Sequence, residues 1–133
     1  MKAWIAALSL AAAVPAVLPE QAAAWNDRRA ARINTVSQDV FEVVPGIASG
    51  RIFWCVAADH AQRTLKAPWN ADLYITRGLG PSETTGRVSA VQFTLNPDLA
   101  PAASRGNINS LEAGQRLSVQ RAYDYCYRLP GRR

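Results

Sequence analysis

The chain has 133 residues, with 15 Lys and Arg against 10 Asp and Glu, a formal net charge of +5, two cysteines and one histidine. That length is the usual size of one domain with a continuous core, and a single histidine excludes a histidine-rich metal site.

Residues 1–24 have the pattern of a cleaved signal peptide. Lys2 supplies the positive start, Ala3 to Val17 an apolar centre, and Ala22-Ala23-Ala24 the small residues that place cleavage before Trp25. The apolar part is shorter than the roughly 20 residues of a permanent spanning helix, and no later stretch is apolar enough. The mature form is therefore expected without a transmembrane segment, exported to the periplasm or secreted. Loss of Lys2 and Glu20 leaves the net charge unchanged. In an oxidising compartment, two cysteines with none left over most simply form one disulfide, Cys55 to Cys126.

Residues 25–32, WNDRRAAR, carry Arg28, Arg29 and Arg32 and little apolar material, so they are expected to form a flexible basic arm ahead of a single domain over 33–133. Val40, Phe41, Val43 and Val44 make a β-branched and aromatic run that predicts a strand over 40–44. Pro45-Gly46 ends it, and Ser49-Gly50 gives a second break.

The clearest helix signal follows. Trp54, Ala58, Ala61 and Leu65 fall at i, i+4, i+7 and i+11, with Ala57 beside them, and predict a helix over 55–66 with one narrow apolar face, stopped by Pro68. Asp59 and Arg63 make an acid-before-base pair at i, i+4 on the outer side. Strands are expected over 72–77, where Leu73 and Ile75 alternate with Tyr74 and Thr76, and over 87–95, where Val91, Phe93 and Leu95 share a face. These two should pair antiparallel across a long loop. Residues 97–110 are rich in Pro, Ala, Ser, Asn and Gly and predict a surface excursion, with Ile108 a candidate short strand. From 115 to 129 both periods fit; the helical one puts Cys126 on the apolar side and uses Ser118 as N-cap, so a short strand near Leu117 followed by a helix from about Val119 is expected. The fold class is thus α+β: a small, mostly antiparallel sheet with one central helix, a C-terminal helix and one disulfide.

Three places invite chemistry. Cys55 and His60 suggest a thiol nucleophile with its base, but five residues apart on one helix they point about 140° away from each other, and Cys126 offers Cys55 a disulfide. His60 then reads as a solvated or hydrogen-bonded helix residue. The loop bounded by Arg77 and Arg87 is more function-like: Gly78 and Gly80 expose backbone N–H groups, Ser82, Thr84 and Thr85 add hydroxyl donors, and anions favour such places. It lacks the Lys-Ser/Thr pair of a P-loop. The basic charge, with Trp25, Trp54, Trp69 and four tyrosines, suggests nucleic acid only weakly, because the arginines are scattered and export removes most nucleic acid as a partner. The acids are spread singly, so no carboxylate pair stands out.

The residues Trp54-Cys55, Ala57-Ala58-Asp59, Ala61, Leu65, Ala67-Pro68-Trp69, Arg77-Gly78, Gly80-Pro81-Ser82, Thr84 to Arg87, Ser89 to Leu95 and Ala122 to Cys126 resemble a group of small exported bacterial proteins of unknown function. The resemblance implies a small secreted domain and brings no catalytic residue. The expected function is noncatalytic binding of an anionic envelope component or a protein partner through Arg77, Gly78, Gly80, Ser82, Thr84, Thr85 and Arg87, with no cofactor and no metal. The alternative is a small secreted hydrolase with an unrecognised site.

Overall fold

The computed structural model describes residues 31–128. The expected signal peptide, the arm up to residue 30 and the last five residues lie outside them. Five strands form one antiparallel sheet: β1 (Arg32–Ser37), β2 (Val40–Val44), β3 (Asp72–Gly80), β4 (Ala90–Thr94) and β5 (Arg116–Ser118), in the order β1-β2-β4-β3-β5. Helix α1 (Gly50–Arg63) joins β2 to β3, and α2 (Val119–Asp124) follows β5 and runs into a 3-10 turn over Tyr125–Arg128. The α+β class, the central helix, the C-terminal helix and the disulfide are all present. Ser118 caps α2 as expected, its hydroxyl accepting from the Arg121 N–H at 3.2 Å.

Several boundaries differ from expectation, each for a physical reason. β1 was not foreseen; Arg32, placed in the basic arm, opens it, and the strand pairs with β2 through a bulge between Thr35 and Ser37. The helix begins at Gly50 and not at 55, because the long loop crosses its first residue. A Cβ on Gly50 would sit 2.3 Å from the Ile108 carbonyl oxygen, so the apparent break is a close approach of two backbones. It also ends at Arg63, before Pro68 can act: Lys66 takes a left-handed φ of 58° and the Ala67 N–H reaches back to the Ala61 carbonyl at 2.9 Å. Leu65 is therefore outside the helix and 47% exposed, not part of its apolar face. β3 is longer than expected and β4 shorter. Ile108 lies in a turn rather than a strand.

The buried surface of α1 is also wider than one stripe. Ile52, Phe53, Trp54, Cys55, Val56, Ala57, Ala58 and Ala61 are all buried, since one side of the helix meets the sheet and the other meets α2 and the Tyr125–Arg128 turn. On the sheet side Phe41, Val43, Leu73, Ile75, Val91 and Phe93 form the core face, with Trp54 edge-to-face on Phe93 at 5.2 Å. On the other side Cys55 is bonded to Cys126, at a sequence separation of 71, and both cysteines are buried. Among the described residues no helix is long and apolar enough to cross a membrane.

Candidate functional site

Strand alternation puts Glu42 and Gln92 opposite each other on the sheet face turned away from α1. Glu42 is fully buried there, with no accessible surface. A carboxylate so placed must be hydrogen-bonded or neutral, and the loop between β3 and β4, with Gln92 on β4, supplies the bonds. Ser82 Oγ donates to it at 2.5 Å, Thr84 Oγ1 at 2.6 Å, the backbone N–H groups of Glu83 and Thr84 at 3.0 and 3.2 Å, and Gln92 Nε2 at 3.1 Å.

The loop is folded for this task. Ser82 Oγ also accepts from the N–H groups of Thr84 and Thr85, the Ser82 N–H bonds to the Arg87 carbonyl, and Thr85 Oγ1 accepts from the Arg87 N–H. Asn34 Nδ2 on β1 reaches over to Thr84 Oγ1 at 3.0 Å. Hydroxyl-to-backbone bonds of this kind hold a turn with its N–H groups converging. Burial pushes the Glu42 carboxyl up, and the bonds from Ser82, Thr84, the Glu83 N–H and Gln92 outweigh it, bringing the pKa down to about 2. Glu42 is a carboxylate at any physiological pH.

The inner surface of the loop after β3 thus holds the protein's own carboxylate. The expected contact residues separate accordingly. Ser82 and Thr84 face inward to Glu42. Thr85 braces the turn. Arg77, Gly78 and Gly80 belong to β3, not to the loop; Arg77 pairs with Glu83 at 2.9 Å, and Gly78 lies so close to the Leu111 carbonyl oxygen that a Cβ would sit 2.6 Å from it.

Arg87 remains. It lines a cleft of about 390 Å³ with Arg32, Val44, Gly46, Thr85 and Gly86 on the outer side of the same loop. Among the described residues no acidic side chain lines this cleft and neither arginine makes an ion pair. Sequence reading missed Glu42 and Arg32. An acid in the middle of a strand otherwise made of Val and Phe was the available signal for the first. For the second, nothing in the sequence opposed the reading of an arm.

His60, half-buried, packs its ring on Phe41 at 4.7 Å and lines a second cleft of about 230 Å³ with Ser37, Asp39, Leu65 and Asn96 among others. Burial lowers its pKa and the Asp59 carboxylate opposes this. Among the described residues no hydroxyl or carboxylate hydrogen-bonds the imidazole. Asp59 turns instead to Arg63 at 3.0 Å, and Cys55 is committed to its disulfide.

No family model, no curated protein and no solved structure matches the chain.

Proposed function

We propose that the protein is a small exported, noncatalytic binding module that takes an anionic group of a cell-envelope component in the Arg32–Arg87 cleft. The observation that carries this reading is the pairing of two arginines in one cleft, with no counter-charge among the described residues, beside the Gly46 and Gly86 backbones. Guanidinium groups match phosphate and carboxylate oxygens through planar paired donors. The turn that presents Arg87 is held from beneath by Glu42, so the cleft wall is built before a ligand arrives. Export is supported by the charged, apolar and small-residue pattern of residues 1–24 and by a disulfide, which persists in oxidising compartments.

Titration with inorganic phosphate and with phosphatidylglycerol vesicles tests the proposal. Amide resonances of Gly46 and Gly86 should shift, and R32Q/R87Q should weaken binding at least tenfold while keeping the fold. Equal binding by the double variant defeats the reading. The hydrolase alternative has thinner support, since His60 lines a cleft but among the described residues has no nucleophile or orienting carboxylate bonded to it. Turnover in a substrate panel that disappears in H60A would replace the binding proposal.

A further inference from the structure

On the opposite part of the molecule three aromatic rings meet at the surface, Tyr123 partly buried against the core and Trp69 and Tyr127 exposed. Trp69 stands in the turn between α1 and β3, and Tyr123 and Tyr127 lie one helical turn apart on α2 and the 3-10 turn after it. Tyr123 meets Trp69 at 5.1 Å with planes 77° apart, and Tyr127 meets Tyr123 at 5.7 Å with planes 67° apart. Trp69 is 44% exposed and Tyr127 58%. With Gln120 and Asp124 they line a cleft of about 300 Å³.

The rings are held in place by backbone. The Gln120 N–H donates to the Trp69 carbonyl at 3.0 Å and the Val119 N–H to the Ala71 carbonyl at 2.8 Å, so the turn bearing Trp69 is tied to the first turn of α2. Arg63 on α1, whose pKa the neighbouring Tyr123 and Asp59 raise, has its charge balanced by Asp59 at 3.0 Å. Walls fixed in this way need little ordering when a ligand enters.

Successive rings close to perpendicular make the sides of a box, not a flat platform. A pyranose needs a flat ring face to lie on, and a helix or membrane would have to cover the Asp124 carboxylate. A box of π-faces with a carboxylate at its side suits a compact, weakly hydrated cation, because each ring face carries negative quadrupole charge and the carboxylate adds a full one. We infer that Trp69, Tyr123, Tyr127 and Asp124 form a binding site for a quaternary ammonium group, such as the head of choline or of a choline lipid. The site is separate from the Arg32–Arg87 cleft, and the inference does not rest on what that cleft binds.

The test follows side-chain and backbone resonances of the whole protein during titration with choline and with tetramethylammonium. The Trp69 indole N–H should shift with both, and should not shift with 3,3-dimethylbutan-1-ol, the uncharged isostere of choline. W69A should lose at least tenfold in affinity and D124N severalfold, whereas Y127F, which keeps the ring, should bind as the parent does. Phosphatidylcholine vesicles that capture the parent but not W69A would make a lipid headgroup the source of the cation; binding of free choline alone would make it a soluble one. Equal binding of the uncharged isostere, a response to N-acetylglucosamine in place of choline, or no response of the Trp69 indole to saturating choline would each overturn the inference.

Discussion

The two faces of the sheet are buried by opposite means. Toward α1 the contacts are hydrocarbon on hydrocarbon, from Phe41, Val43, Leu73, Ile75, Val91 and Phe93, and the helix covering them is tied down by Cys55–Cys126. Away from α1 the same strands bury Glu42 and Gln92, and the cover over Glu42 is a nine-residue connection, 81–89, held by directional bonds to that one carboxylate. Apolar packing is non-directional and spread over many atoms. The polar face concentrates its stabilisation on a few donors, so a single substitution can release the cover without unfolding what lies behind it.

That contrast breaks most visibly from the apolar side. Phe93 is fully buried between Phe41, at 5.9 Å, and Trp54. F93A should cost about 3–5 kcal/mol, a large share of the stability of an ordinary domain, and lower the midpoints of thermal and denaturant melts further than E42Q or R77Q does. Removing the disulfide as C55A/C126A should come next. Closing a loop of 71 residues restricts the unfolded chain by about 4 kcal/mol in the chain-entropy treatment, with observed effects commonly smaller. Here the midpoint of denaturation falls while the Glu42 network persists, which hydrogen exchange at the Glu83 and Thr84 amides would report. Thiol labelling of the unreduced protein should find no free cysteine, and free thiols would contradict the bonded pair.

The polar face answers differently. E42Q replaces one acceptor oxygen by a donor that faces the donors of Ser82, Glu83 and Thr84, and leaving such buried groups unsatisfied costs about 1–3 kcal/mol. The effect should be local: amides 83–85 lose protection and those of α1 do not. Acid provides an independent probe of the same bonds. The folded pKa of Glu42, about 2, lies below its ordinary value of 4.5, so its contribution is complete above the ordinary value. It shrinks as the pH falls below that and is gone once the pH has passed through the folded pKa. The parent should therefore lose thermal stability more steeply than E42Q between pH 5 and pH 2. Parallel curves would mean that the carboxylate is not held as described.

The apolar face was largely legible in the residue pattern and the polar face was not. Alternation at 72–77 and 90–94, and the spacing of Trp54, Ala58 and Ala61, follow from one residue type repeating, which is what periodicity detects. Ser118 and Cys126 likewise carried enough local information to place α2. Gly50 misled because a glycine required by contact with Ile108, far away in sequence, looks the same as a glycine that breaks a helix. Glu42 was hidden because its partners lie 40 to 50 residues away. The Arg77–Arg87 stretch suggested an anion site from its hydroxyls and glycines, and only the sheet register shows that Ser82 and Thr84 turn to the internal carboxylate of Glu42. Arg87 lines a cleft together with Arg32, which the strand pairing of β1 with β2 carries there.

The smallest expected effect sharpens the comparison furthest. Arg77 and Glu83 form the one ion pair on the loop among the described residues, at 2.9 Å, with side chains 40% and 51% exposed. Solvent screens such a pair and its two long side chains lose freedom in making it, so its worth is at most about 0.5 kcal/mol. R77Q should leave the melting temperature, the protection of amides 83–85 and phosphate binding at the Arg32–Arg87 cleft nearly unchanged, because the loop is anchored from within by Glu42. If R77Q instead loosened the loop as much as E42Q does, the anchor would be the surface charge, and the two faces of the sheet would differ less than their hydrogen bonds imply.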